Sequence, residues 1–111
     1  MEFGTYIRDK RMELKSFSSK FSLRKIAGII DVEPAFLSKV ERNIVPPPSE
    51  RKIIALAEAL DEDPDFLLGL AGRISKDLVI IVSKRPIIMA ELIRKLANTS
   101  DDTIDNIIRQ I

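Results

Sequence analysis

The stretch Ser22–Asn43, SLRKIAGIIDVEPAFLSKVERN, decides the fold of this chain of 111 residues. Its apolar residues keep a helical period up to Ile30 and resume it only at Leu37, so the stretch predicts two short helices joined by a turn. Ser22 can cap the first helix, and Glu33 followed by Pro34 is typical of a second helix start. The side chains expected in a core shared by the two helices are Ile26, Ala27, Ile30, Leu37 and Val40.

Three segments of the chain, in this order, resemble the Cro/CI (Xre) family of lambda-repressor-like DNA-binding domains. They are Ser22–Ala27 (SLRKIA), Leu37–Arg42 (LSKVER) and Leu56–Leu60 (LAEAL). The resemblance covers residues 3 to 70 and carries a helix-turn-helix pattern. It implies an all-α protein, with a five-helix DNA-binding domain over residues 1–73 and a short helical extension over residues 74–111.

A helix from Phe3 to Lys15 is predicted before the motif, because apolar residues recur there at helical spacing. Arg8 and Arg11 fall on another face of that helix. The serine-rich connector Ser16–Lys20 either extends the helix or forms a loop. The apolar residues expected to face the core in this part are Phe3, Ile7, Leu14, either Tyr6 or Met12, and either Phe17 or Phe21.

After the motif, Asn43 is expected to end the second helix in a left-handed conformation. The segment Ile44–Pro48 cannot be helical, because each proline removes a donor and restricts the residue before it. Ser49 is predicted to cap a fourth helix, and Asp63 with Pro64 to open a fifth. The inward residues expected on these two helices are Ile53, Ile54, Leu56, Ala57, Leu60, Phe66, Leu67 and Leu70.

The extension beyond Arg73 predicts three more helices: one over residues 76–83, one beginning at Pro86, and one at the end of the chain. It holds more isoleucines than helices packed by one face would bury, so we expect part of it to contact another chain. The alternative is that all of them pack within this chain. The residues of the candidate dimer or partner surface are Ile87, Ile88, Leu92, Ile104, Ile107, Ile108 and Ile111.

The composition argues against catalysis and metal binding, because the chain has no cysteine and no histidine. The acidic residues are scattered over predicted helix surfaces and caps, so we expect no enzyme, no cofactor and no metal. No apolar run is long enough to cross a bilayer, and the first ten residues lack the apolar core of a signal peptide. We therefore expect a cytoplasmic protein without a membrane partner.

Positive charge is concentrated beside the helix-turn-helix, although the formal net charge is only +1. Residues 8–25 hold seven basic and two acidic side chains, whereas residues 46–111 hold nine basic and eleven acidic ones. Such a distribution suits a nucleic-acid partner, and the alternative is a solvated helix face.

The resemblance implies that the second helix of the motif lies in the major groove of DNA. Lys39 is the strongest candidate for a polar base contact, because its ammonium can donate to guanine O6 and N7. For Phe36, packing against the core is the alternative. The residues expected to reach base edges are Glu33, Pro34, Ala35, Phe36, Ser38 and Lys39.

Phosphate contacts are expected around the start of the first motif helix, from main-chain amides and basic side chains. The residues expected there are Ser22, Leu23, Arg24, Lys25, Arg42, Lys20 and Arg11. Glu41 is expected to brace the motif internally, through Arg8 or Arg11. The family often has glutamine at the position of Leu23, where its amide helps to hold a phosphate, so Arg24 has to supply more of that contact. It often has glycine at the position of Asp31, which tolerates the turn but adds negative charge nearby.

These features predict a bacterial or phage transcriptional regulator, foremost a repressor that binds an inverted-repeat operator as a homodimer, because one recognition helix makes too few contacts for selectivity. An alternative is an antitoxin-like or protease-associated regulator, which binds a toxin or protease through its C-terminal helices and represses its own promoter. A third reading is a helical interaction module without a DNA role.

Overall fold

The structure is a computed structural model that describes residues 1–111, and all of its regular elements are helices. The expected all-α class is therefore confirmed. The chain divides into two compact units, Met1–Ser75 and Lys76–Ile111, whereas the sequence places the boundary at Arg73. None of the helices combines the length and the apolar character needed to cross a membrane.

The N-terminal unit contains five α-helices and one short 3-10 turn. Their bounds are α1 Phe3–Lys15, the 3-10 turn Ser19–Phe21, α2 Leu23–Ile29, α3 Pro34–Glu41, α4 Glu50–Ala59 and α5 Pro64–Leu70. The C-terminal unit contains α6 Lys76–Lys84, α7 Pro86–Leu96 and α8 Asp101–Gln110. The serine-rich connector thus ends in the 3-10 turn and does not continue α1.

Four helices of the N-terminal unit end in the same way, with a residue of positive φ angle two positions after the last helical residue. In each case the next residue's N–H donates to a carbonyl five positions earlier, which is the Schellman arrangement. The four end residues are Asp31 (φ 59°), Asn43 (60°), Asp61 (54°) and Gly72 (71°). The four bonds are Val32 N to Ala27 O, Ile44 N to Lys39 O, Glu62 N to Ala57 O and Arg73 N to Leu68 O, all 2.8–2.9 Å.

The predicted helix starts are correct in position, but only some of the side chains act as caps. Ser22 Oγ accepts from Lys25 N–H at 3.3 Å, and Asp63 Oδ1 accepts from Asp65 N–H at 2.8 Å. Glu33 and Ser49 occupy cap positions without a side-chain hydrogen bond to the helix. The fixed φ of Pro34 favours the start of α3 without a side-chain cap.

The core of the N-terminal unit is aliphatic apart from Phe3. Its buried side chains are Phe3, Ile7, Ile26, Ala27, Ile30, Leu37, Val40, Ile53, Leu56, Ala57, Leu60, Leu67 and Leu68. One prediction for α5 is wrong, because Phe66 is 45% exposed, while Leu68 is buried in its place. Leu70 is half-buried and packs against the core, as expected of an inward residue. Phe21 packs on the core and Phe17 stays exposed. On α1, Tyr6 packs on the core and Met12 is exposed.

The start of α1 lies directly against the end of α3. Gly4 N–H donates to Asn43 Oδ1 at 3.0 Å, and Asn43 Nδ2 donates to Thr5 Oγ1 at 2.9 Å. A Cβ atom on Gly4 would overlap the Val40 carbonyl oxygen and the Asn43 side chain. Glycine is required here for the close approach of two backbones, not for an unusual backbone angle.

We expect Gly4→Ala to destabilise the N-terminal unit by about 1–3 kcal/mol, because the new methyl group meets backbone that cannot move aside. Gly28→Ala on α2 is the matched control, since no atom lies near its Cβ position. That change should stabilise by about 0.5–1 kcal/mol through helix propensity. Denaturant unfolding of both variants measures the difference, and equal effects would contradict the close approach.

Tyr6 connects α1 to the α4–α5 turn. Its hydroxyl donates to the Glu62 carboxylate, and its ring packs edge-on against Phe66 with centroids 5.1 Å apart. The hydrogen bond to Glu62 raises the pKa of Tyr6 to about 12, with burial and the negative charges of Glu62 and Glu13 adding to it. Because the folded pKa exceeds the ordinary value of 10.0, this contribution to stability is complete below pH 10 and is lost as the pH rises toward 12.

Tyr6 is the only tyrosine and there is no tryptophan, so tyrosinate absorbance reports on this residue alone. We expect wild type to titrate near 12 and Glu62→Gln to titrate closer to 10. Glu13→Gln is the control, because Glu13 acts only through its charge and should lower the midpoint less. A midpoint near 10 in wild type would mean that the Tyr6–Glu62 contact is absent.

Candidate nucleic-acid interface

The α2–α3 pair is held in place by its buried side and by a lysine from α4. Leu37 and Val40 of α3 are buried, and α3 packs against both α1 and α2. Lys52 Nζ donates to the carbonyl oxygens of Ile30 and Asp31, at 3.2 and 2.7 Å. Lys52 therefore neutralises the carbonyl end of α2 and fixes the turn before α3. No sequence pattern indicates this contact.

A buried ion pair braces α3 against α1. Arg11 Nε and Nη2 donate to the two Glu41 carboxylate oxygens, at 2.6 and 2.9 Å, and Arg11 Nη1 donates to the Phe21 carbonyl at 3.2 Å. The side chains of Arg11 and Glu41 are only 7% and 5% exposed. Glu41 thus braces the motif as expected, and its partner is Arg11, not Arg8.

The prediction that Arg11 contacts phosphate is consequently wrong. All three of its bonded nitrogens face the protein, and its charge is matched by Glu41. Helical spacing placed Arg11 on a polar face of α1, but the 3-10 turn and α3 cover that face. Arg8, three residues earlier, is exposed.

The side of α3 away from the core is open along its whole length. Glu33, Ala35 and Lys39 are exposed, and the Lys39 ammonium has no polar partner in the protein. Pro34, Phe36 and Ser38 are half-buried, and Phe36 packs against the core as the alternative reading of that residue predicts. Of the six residues expected at base edges, Ala35 and Lys39 are therefore the exposed ones within α3, with Glu33 just before it.

Four of the basic side chains expected near phosphate are exposed: Lys20, Arg24, Lys25 and Arg42. Arg42 Nε donates to the Ser38 carbonyl at 3.3 Å, which leaves its other nitrogens available. Ser22 Oγ accepts the cap bond from Lys25 N–H, so its hydroxyl hydrogen can still be donated to a phosphate, whereas Ser22 N–H already donates to the Ser19 carbonyl. The Leu23 side chain packs on the core, so Leu23 can offer only its main-chain N–H. Since Glu41 is paired with Arg11, the exposed acidic side chains between residues 20 and 42 are Asp31 and Glu33.

The expected partner surface lies in the C-terminal unit, which contains no buried residue. Ile104 is half-buried, and the other residues expected there are exposed: Ile87, Ile88, Leu92, Ile107, Ile108 and Ile111. Four consecutive residues of α6, Leu78 to Ile81, are exposed as well. The surface predicted from the sequence does not contain these four residues.

No model of a protein family matches the chain, and neither does any curated protein or solved structure. Roles can therefore be assigned to these residues only from their geometry and chemistry.

We expect Arg11→Met to destabilise the protein by about 3–5 kcal/mol, because it leaves the Glu41 carboxylate buried without a partner. The double variant Arg11→Met/Glu41→Leu should recover most of that loss, since neither charge then remains buried. Denaturant unfolding measures both.

The exposed pair Glu91–Lys95 provides the comparison, with side chains 64% and 77% exposed. Glu91→Ala should change the unfolding free energy by less than about 0.5 kcal/mol. A double variant as unstable as Arg11→Met would show that the pair does more than neutralise buried charge.

Proposed function

We propose that the chain is a DNA-binding transcriptional regulator with a lambda-repressor-like arrangement of α1–α5. In this proposal α2 and α3 form a helix-turn-helix, and α3 lies in the major groove. A pair of chains binds an inverted-repeat operator and represses transcription by occluding the promoter. Binding to chromosomal DNA would place the protein in the cytoplasm of a bacterial cell.

The observation that carries the proposal is the contrast between the two sides of α3. Its inner side is fixed by Leu37, Val40 and the Arg11–Glu41 pair. On its outer side, Ala35 and Lys39 are exposed to solvent, and the Lys39 ammonium has no polar partner in the protein. A helix whose inner side is fixed by packing and whose outer side is exposed can enter a DNA groove without rearrangement. Little conformational entropy of the protein is then lost on binding.

The exposed side chains suggest which base contacts are available. Lys39 can donate to guanine O6 and N7, and the Ala35 methyl group can contact a thymine methyl. Glu33 can accept from cytosine N4. Phe36 is held against the core, so direct readout would depend chiefly on Lys39.

Phosphate contacts would come from the exposed basic side chains that flank the pair, namely Lys20, Arg24, Lys25 and Arg42. Each phosphate neutralised releases counterions, which makes the affinity fall with salt concentration. Such contacts position α3 but do not discriminate between sequences.

A second candidate function is favoured by the exposed apolar helices α6–α8. An antitoxin-like or protease-associated regulator would cover these helices with a toxin or a protease and use DNA binding for autorepression. To discriminate this function from the proposed repressor, the chain is purified after co-expression with the proteins encoded beside its gene. A second protein that co-purifies in stoichiometric amount supports the antitoxin-like or protease-associated regulator.

The proposal is tested first by footprinting on the DNA upstream of the protein's own gene, followed by binding measurements on the protected sequence and on random duplex. We expect Lys39→Ala to weaken binding to the protected sequence about 5- to 100-fold and binding to random duplex much less. Equal weakening on both would assign Lys39 to a phosphate. No protected sequence and no salt-dependent binding would overturn the proposal.

Arg24→Ala should weaken binding to both DNAs alike and reduce the slope of log affinity against log salt by about one. Arg51→Ala is the matched control, because Arg51 is exposed on α4 and carries the same charge outside the proposed interface. The slope should be unchanged in that variant. An equal reduction in both variants would indicate a general charge effect.

A further inference from the structure

The C-terminal unit exposes far more apolar surface than a closed fold of its size. Exposed aliphatic side chains occur on all three of its helices, and Ile87 and Ile111 are 85% and 99% exposed. From the exposed fractions of these side chains, the apolar surface amounts to roughly 1,000 Å². This area is a sum over the side chains of three helices, whereas the largest contiguous apolar patch on a typical monomer is about 300–600 Å².

The middle of helix α6 is apolar around most of its circumference, and its polar residues Lys76, Asp77, Ser83 and Lys84 lie at the two ends of the helix. Residues 78–82, LVIIV, are all apolar, and five consecutive helical residues point in directions that together surround the helix axis. Within its own unit α6 packs against α7, and its residues Leu78 to Ile81 each stay 40–53% exposed. Apolar residues distributed in this way are covered by more than one neighbouring helix in a folded core, and packing on α7 leaves Leu78 to Ile81 exposed.

Helix α8 has the opposite pattern, with one narrow apolar stripe. Ile104, Ile107, Ile108 and Ile111 share one face, and the other face holds polar residues including Asp105, Asn106 and Arg109. This spacing suits packing of the stripe along another helix. The unit therefore combines one helix that has to be enclosed with one that can cover a neighbour by a single face.

The chemistry of the unit favours a second copy of itself as the occupant. Residues 76–111 contain no Phe, Tyr or Trp, and their exposed apolar side chains are aliphatic, as in the core of the N-terminal unit; obligate homodimer interfaces resemble a domain core in this way. They contain six basic and five acidic residues, so they offer no charge for an oppositely charged partner to match. The exposed apolar area is also of the size that a dimer interface takes from each chain, which is about 800 Å² for a standard interface and about 1,000 Å² or more for an obligate homodimer.

We propose that residues 76–111 of two chains fold together into one core, in which α6 of each copy is enclosed by helices of both. Folding of this unit is then coupled to association, and its stability depends on protein concentration. The second copy is the one that the proposed inverted-repeat operator requires, so the inference deepens the proposed function and rests on it only for its biological purpose.

The test uses the full chain without DNA. Sedimentation should give twice the chain mass of 12.5 kDa for wild type, and its thermal unfolding midpoint should rise with protein concentration. Ile81→Glu, on α6, should weaken dimerisation by about 100-fold or more, because a carboxylate would enter an apolar core. It should also lose the helical circular dichroism of α6–α8 at concentrations where wild type keeps it.

Asn106→Glu is the matched control, because it adds the same charge to the polar face of α8. Its mass and helicity should equal those of wild type. A wild-type chain of single mass with full helicity at every concentration would overturn the proposal, as would a single chain bound to a different protein. These results are independent of DNA binding: a dimer without DNA affinity removes only the proposed function, and a monomer that binds DNA removes only this inference.

Discussion

The buried Arg11–Glu41 pair is the interaction on which the N-terminal unit depends. The Arg11 guanidinium joins its own helix α1 to the 3-10 turn, through the Phe21 carbonyl, and to α3, through Glu41. Arg11 and Glu41 are thirty residues apart in the sequence. A buried ion pair adds little net stability compared with apolar packing, but it tolerates only one geometry. Its effect is thus to fix the position of α3 relative to α1. It also removes the charge of Glu41 from a region where an acidic side chain would repel phosphate.

The two units use their aliphatic residues in different ways. In the N-terminal unit thirteen apolar side chains close into a core, and the outer side of α3 is left polar and small. In the C-terminal unit the same residue types stay accessible on three helices. The first arrangement suits a surface that meets a charged, grooved partner without changing shape, and the second suits a surface that becomes stable only when it is covered. The regulator that we propose, which binds a two-fold site, needs both.

The features predicted correctly from the sequence are those that depend on nearby residues. Helix periods, proline starts and the left-handed stop at Asn43 are local, so the positions of all eight helices could be predicted. The errors concern contacts between distant elements. The helical period of α1 predicts that Arg11 lies at the surface, but the 3-10 turn and α3 cover it. The burial of Leu68 in place of Phe66 depends on the orientation of α5 against the core. The two bonds from Lys52 to main-chain carbonyls have no sequence signature, because any lysine can donate to a carbonyl within its reach. Lys39 and Arg24 could be placed at the surface because the α2–α3 turn fixes their faces.

The contact between Gly4 and Asn43 has a consequence for how this chain can diverge. Glycine at position 43 would satisfy the positive φ angle equally well, but it would remove both the acceptor for Gly4 N–H and the donor to Thr5. A larger residue at position 4 would in turn require the end of α3 to move away. Positions 4 and 43 are therefore expected to be exchanged together among descendants of this sequence. Such covariation would link a residue of the first helical turn to the stop of the helix that faces DNA in our proposal.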